Sequence, residues 1–259
     1  MLAVNFFFQI SSITVIGLDR YSPDAVIEVS AIEIGDNMLR LDTDQIISDI
    51  LEAFPYIATV RVQRRLPPRI ELIVTQHQPE LVLVDSGQTA LITMQGILLE
   101  RGNLTPPEGL PVVRGLSLAG FEPGQTIGGA DNPENHERLV MLRYLFAAAY
   151  SVDFFPITHV NVEDRLNMRI VHEERLILEL GSEADLEYKL TFLRHVIENS
   201  IGPYVQARLD ISNARERRLI RRDGRVIDGQ FFPGGLIDLD EIYTYESEYE
   251  QGDEGEEAS

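Results

Sequence analysis

The sequence predicts an α+β protein: a small domain running strand, helix, helix, strand, strand, followed by a mixed, mainly antiparallel sheet domain with two helices. Three observations carry this. Val60 and Val62, then Ile70, Leu72 and Val74, recur at the two-residue period of half-buried strands. Ser22-Pro23 and Asp42-x-x-Gln45 are helix starts just upstream of them. Beyond Pro79 short apolar runs dominate, interrupted by only two stretches of helical periodicity.

Taken in order, Ile13–Leu18 reads as a strand ending near Gly17. Ser22 caps a helix with Pro23 at its first position and Val26 and Val29 on one face, and Ile34-Gly35-Asp36-Asn37 breaks it. The Asp42 helix carries Ile46, Ile50 and Phe54 in one row and Ile47 and Leu51 in the next, until Pro55 closes it. The two opening strands follow, joined by a basic double-proline corner, Arg64-Arg65-Leu66-Pro67-Pro68. In the second domain, strands are expected near 81–84, 90–94 and 97–100. A loop rich in Gly and Pro runs from Gly102 to Pro133, broken by Leu110-Pro111-Val112-Val113. Asn132-Pro133-Glu134 then caps a helix bearing Leu139, Leu142, Phe146 and Ala149. Strands near 158–162, 166–171 and 175–180 lead to a helix begun by Ser182-x-x-Asp185, with Leu186, Leu190, Leu193 and Ile197 along it. Val205, Ala207, Leu209 and Ile211 alternate with Gln206, Arg208, Asp210 and Ser212 in a final one-sided strand.

This gives a small domain over 10–78, a sheet domain over 79–214, and an Arg-rich linker with an acidic, disordered tail over 215–259. The net charge is −20, of which eleven acidic residues lie in 226–259 with no Lys or Arg beside them. With no basic patch in the first 200 residues, nucleic acid is not an expected partner. The absence of Cys excludes disulfides and thiolate metal sites. The apolar opening, Met1-Leu2-Ala3-Val4-Asn5-Phe6-Phe7-Phe8, has two readings: a first strand or buried terminus, or the outer end of a membrane helix of which 1–9 is the remnant.

Catalytic signatures are weak. No phosphate-binding or dinucleotide glycine motif occurs, and Gly115-Leu116-Ser117-Leu118-Ala119-Gly120 misses the nucleophile-elbow spacing. Asp42 and Asp44 read as helix-start residues before they read as an acid–base pair. The same holds for Asp131, His136 and Glu137 as metal ligands. No enzyme, cofactor or metal is expected.

The ordered series Ile13-x-Val15-x-Gly17, Ile34-Gly35-Asp36-Asn37-Met38, Phe54-Pro55-Tyr56-Ile57, Val60-x-Val62-x-Arg64-Arg65-Leu66-Pro67 and Ile70-x-Leu72-x-Val74 resembles a POTRA domain of the FtsQ type. The continuation is similar to the β domain of the same FtsQ/DivIB cell-division family. It runs through Gln78-Pro79, Leu91-Ile92-Thr93-Met94-Gln95-Gly96-Ile97, Leu110-Pro111-Val112-Val113-Arg114-Gly115 and Ile177-Leu178-Glu179-Leu180-Gly181. Three positions depart from the family pattern: His77-Gln78 replace an acidic residue, Gln95-Gly96 an Asp-Gly pair, and Arg208-Leu209-Asp210 a strand triplet with its charges exchanged.

The resemblance implies a non-enzymatic divisome scaffold outside the cytoplasmic membrane at the septum, anchored by a single N-terminal helix not contained in this chain. It implies coiled-coil partners of the FtsB/DivIC and FtsL kinds, with septal peptidoglycan synthases as further candidates. Partner docking is then expected by strand addition at the last strands. The rim near Leu209 would be left open, Leu209 and Ile211 holding the strand to the core while Gln206, Arg208, Asp210 and Ser212 face outward. Arg215 belongs to the same candidate surface, and Lys189 is placed to pair with an acidic partner or to be a solvated helix charge. The arginines of 215–225 either extend the receiving sheet through Leu219 and Ile220 or form a solvated basic linker that attracts the acidic tail. Two rival assignments are a POTRA-bearing outer-membrane assembly or secretion factor, and a cell-wall hydrolase.

Overall fold

β1 (Ser12–Ile16), α1 (Pro23–Ser30), α2 (Thr43–Ala53), β2 (Ile57–Arg65) and β3 (Arg69–Gln76) follow one another in the computed structural model, which describes residues 7–212, 220–227 and 230–233. The sheet order is β1-β3-β2, with β1 parallel and β2 antiparallel to the central β3. Local chemistry places the helices where the sequence put them. Ser22 Oγ accepts from the Ala25 amide at 3.2 Å with Pro23 at the first helical position, and Asp42 Oδ1 accepts from the Gln45 amide at 3.2 Å. The second half of the Asp42 capping box is not made, because Gln45 Nε2 donates to Asp49 instead. Val26, Ile46 and Ile50 pack onto Ile70, Leu72 and Val74, all buried. Each such side chain contributes about 2 kcal/mol by leaving water.

The double-proline corner fastens one end of this unit. Arg64 donates from Nε to Met38 O (2.7 Å) and from Nη2 to Leu41 O (3.1 Å), tying the α1–α2 loop to the strand pair. Ser11 donates from its amide and hydroxyl to Pro68 O. The Leu66–Pro67 peptide is cis.

The opposite end meets the sheet domain. Arg20 lies 2.6 Å from Glu100 and 4.2 Å above the Tyr56 ring, while Tyr56 Oη donates to Glu100 Oε2 at 3.0 Å. Tyr56 packs with Val82, Leu91 and Leu99. Burial, reinforced by the hydrogen bond to Glu100, pushes the Tyr56 phenol up to about 12. The neutral phenol is therefore the form the fold prefers. Its contribution is complete below the ordinary tyrosine value of 10.0 and is lost as pH climbs through about 12. Phenolate absorbance titration should show one of the nine tyrosines ionising last, in that window, and Glu100→Gln should bring it down.

The chain divides into two units, Met1–Ala147 with Val160–Arg165, and Ala148–His159 with Leu166–Ser259. The first also holds β4 (Leu81–Asp85), β5 (Gln88–Ile92), β6 (Leu98–Gly102) and β7 (Val112–Arg114) in the order β7-β4-β5-β6. β4, β5 and β6 form an antiparallel meander, and β7 pairs parallel with β4. β7 lies inside the stretch that composition marked as loop. Val113 is fully buried there, so three residues of ladder are sufficient to hold it.

α3 (Pro133–Ser151) and β8 (Ile157–Asn161) have residues in both units. Asn132 caps α3 by accepting from the Asn135 amide at 3.0 Å. The second unit continues with β9 (Met168–His172), β10 (Leu176–Gly181), α4 (Leu186–Ser200), β11 (Ala207–Asp210), β12 (Ile220–Ile227) and β13 (Gln230–Pro233), ordered β8-β9-β10-β11-β12-β13. β10 and β11 are parallel, linked by α4 as a crossover, and all six residues of β10 are buried. Two expectations need correction here. Asp185 rather than Ser182 is the α4 cap, in the left-handed region and without a side-chain cap bond. Residues 230–233, placed in the tail, form a strand because β12 offers them a ladder, and of the two readings of 215–225 the described part, from Ile220, extends the sheet along β11. The calls on Leu219, Arg215 and the acidic residues beyond 233 lie outside the described residues, as do residues 1–6. Among the described residues no helix is long and apolar enough to cross a membrane.

Candidate functional site

β11 has the alternation its sequence demands. Ala207, Leu209 and Ile211 are buried, while Gln206, Arg208 and Asp210 are half-exposed and Ser212 is exposed. The expected open rim is absent. β12 runs antiparallel along it with Ala207 opposite Asp223, Arg208 opposite Arg222, Leu209 opposite Arg221 and Asp210 opposite Ile220. The other side of β11 is paired with β10. The rim near Leu209 is thus satisfied by the chain itself, because the arginine-rich segment carries the four consecutive backbone groups that the ladder needs.

The outward side chains are also engaged. Arg208 forms an ion pair with Glu179 of β10. With Asp210 and Arg222 these two line a small cleft of about 100 Å³. Arg208 faces Arg222 directly across the ladder, so Glu179 supplies the opposite charge that the like-charged neighbours need. Gln206 Oε1 accepts from the Val226 amide at 2.8 Å, and Gln206 O accepts from Gly224 at 3.1 Å. Asp210 Oδ1 accepts from the amide and hydroxyl of Ser212. Sequence reasoning missed Glu179 and Arg222. A lone carboxylate in the apolar run Leu176-Ile177-Leu178-Glu179-Leu180 was the available signal.

Lys189 is a further correction. It is 3% exposed on the packed face of α4, and its ammonium donates to Leu180 O (2.7 Å) and Ser182 O (3.0 Å). Burial holds its pKa below the ordinary lysine value, opposed by Asp185 and Glu183. It ties the end of β10 to the crossover helix and presents no charge to a partner.

The enzymatic candidates have structural explanations. Asp42 caps α2, Ser117 Oγ accepts from the Ala119 amide within its turn, and Glu137 pairs with Arg165 at 2.5 Å. Among the described residues no three His, Asp or Glu gather as metal ligands.

What remains distinctive is the far end of the ladder. Among the described residues β13 pairs with β12 alone, Val226 opposite Phe231 and Arg225 opposite Phe232. The Val226 amide turns away from β13 towards Gln206. In an antiparallel pair the residues that exchange no ladder bonds point their N–H and C=O outward, so the backbone of Phe231 faces the outer side of the sheet.

The β-α-α-β-β order of the first five elements, with β3 central in the sheet, is that of a POTRA-type unit, and a mixed sheet follows it in the chain. Residues 8–77 match the family model described as a POTRA domain of the FtsQ type. The cell division protein FtsQ of Anaeromyxobacter sp. (strain K) is 29% identical over 188 residues, covering 70% of this chain and 59% of the relative. The FtsQ of Myxococcus fulvus is 31% identical over 116 residues, covering 44% and 39%. The cell division protein DivIB of Clostridium acetobutylicum is 25% identical over 194 residues, covering 74% of each. Residues 8–77 are thus a POTRA domain of the FtsQ type, and the chain beyond them is similar to the FtsQ and DivIB cell division proteins. The chain spans less than two thirds of the length of the Anaeromyxobacter and Myxococcus relatives.

Proposed function

We propose that this chain is a scaffold of the bacterial division machinery, held outside the cytoplasmic membrane at the septum. It gathers membrane-anchored coiled-coil division proteins of the FtsB/DivIC and FtsL kinds, with septal peptidoglycan synthases as further partners. Docking is by β-strand addition at the last strands. In this reading the POTRA domain spans 10–78 and the β domain 79–214, and the polar and charged residues Gln206, Arg208, Asp210, Ser212 and Arg215 belong to the receiving surface.

The observation that carries the reading is the outward-facing backbone of Phe231 on the terminal strand. An edge strand leaves amides and carbonyls that another extended segment can satisfy, and neighbouring side chains set which segment is accepted. The docking rim therefore moves from β11, which β12 completes, to the outer side of β13.

Phe231→Pro separates docking from folding. It removes an amide that faces outward and spares the β12–β13 ladder. Capture of a purified DivIC-like or FtsB-like coiled-coil protein should fall about tenfold or more, corresponding to at least one strong backbone hydrogen bond. The unfolding midpoint should stay close to that of the parent chain. Undiminished capture by a folded Phe231→Pro chain sinks the strand-addition route.

A further inference from the structure

The POTRA unit has two unlike ends. β1 and β3 start, β2 finishes, and the α1–α2 loop returns at one end; the β1–α1 and α2–β2 connections lie at the other. The second end is occupied, since Arg20, Tyr21 and Tyr56 pack against β4, β5 and β6. The first end is covered by no described segment and carries Phe7, Ile34, Leu39 and Leu66, at 75%, 64%, 56% and 71% exposure. They make up four of the eleven large apolar side chains that stand exposed among the described residues.

Those four sit on three segments bonded to one another. Met38 donates to Phe8 O, and Ile10 donates to Asp36 O. Gly35 donates to Ile10 O, Arg64 to Met38 O and Leu41 O, and Ser11 to Pro68 O. The loops are thus a braced rim rather than independent tips. The apolar run Met1-Leu2-Ala3-Val4-Asn5-Phe6-Phe7-Phe8 leads into the same rim.

We propose that this end of the POTRA unit seats directly on a lipid bilayer surface, with Ile34, Leu39 and Leu66 dipping into the headgroup boundary beside Phe7. The inference rests on the functional reading above only in placing the chain beside a membrane. Apolar side chains presented on a rigid rim gain by leaving water at the bilayer interface. Charge does not drive the contact. Arg40, Arg64, Arg65 and Arg69 at this end are matched by Glu33, Asp36, Asp42 and Glu71, and Glu71 pairs with Arg65 at 2.9 Å. Binding is therefore expected on zwitterionic lipid, and salt should not release it. A second protein as occupant would want complementary charge or a groove. This rim has balanced charge, and the cleft of about 450 Å³ beside Gly35 and Arg40 is polar-lined rather than an apolar groove.

The chain has no tryptophan, so single substitutions give a clean optical probe. Leu66→Trp and Tyr204→Trp are each mixed with phosphatidylcholine vesicles, Tyr204 being a 95% exposed position on the second unit. The emission of Leu66→Trp should shift to the blue and become shielded from iodide, while Tyr204→Trp stays water-exposed. Vesicle partition of Ile34→Ser/Leu39→Ser/Leu66→Ser should fall about tenfold or more. These positions are exposed, so the variant keeps its fold, and residues 1–8 are unchanged in every chain compared. Equal water exposure of both tryptophans, or an unchanged partition of the triple variant, overturns the proposal. No division partner is present in these measurements, so failure of strand docking at β13 would leave their outcome untouched.

Discussion

Leu209→Pro is expected to unfold the second unit of the chain. Leu209 is fully buried and its strand has neighbours on both sides, β10 in parallel and β12 antiparallel. Whichever way its amide points, a proline deletes a ladder bond and drives its ring against a packed neighbour. The leucine side chain leaves a cavity in the same position. The combined loss is about 5 kcal/mol or more, comparable with the whole stability of an ordinary domain. Amide exchange should show protection lost across β9 to β12, whereas β1 to β3 keep theirs. The completed ladder makes it a folding mutation of that unit. A denaturation midpoint equal to that of the parent would contradict the pairing.

Gly17→Ala should be nearly as damaging in the POTRA unit. Gly17 follows β1 with φ at +94°, and an added Cβ would lie 2.2 Å from Val74 O. Two penalties combine: a backbone conformation that L-residues avoid, and a contact with main chain that cannot swing aside. The carbonyl it strikes belongs to β3, the strand that holds both β1 and β2. Either β1 peels away or β3 bends, at a cost of about 3 kcal/mol or more. Gly35→Ala is the matched control, since that glycine also has positive φ but meets no neighbouring atom. Urea unfolding should place Gly17→Ala well below Gly35→Ala, and equal midpoints would show that the close approach is not needed.

The elements legible in the sequence were those whose signals are local. Ser22-Pro23, Asp42 and Asn132 act within one helical turn, and the alternation of Ile70, Leu72 and Val74 reports its own burial. β12 was harder, because an arginine run looks solvated until β11 supplies a ladder ten or more residues away in sequence. Even so, the Asp228-Gly229 pair between Ile227 and Gln230 was a two-residue hairpin signal waiting to be used. Lys189 was misplaced for a different reason. Its spacing of three from Leu186 and four from Leu193 put it on the apolar face, but its charge argued for solvent. Two backbone carbonyls at the end of β10 resolve that conflict, and no one-dimensional pattern contains them. At the candidate site the inward–outward alternation of β11 was readable from residue type. Occupancy of its rim was a question of topology.

The inward lysine has a practical corollary. Lys189 is the sole lysine of the sequence, and its nitrogen is shielded and held by two acceptors. Amine-directed esters, aldehydes and cross-linkers therefore find no side-chain handle while α4 stays seated, and acylation at this position becomes a clock for the helix lifting off. Surface immobilisation or dye attachment through the lysine amine would select for molecules that have already come apart.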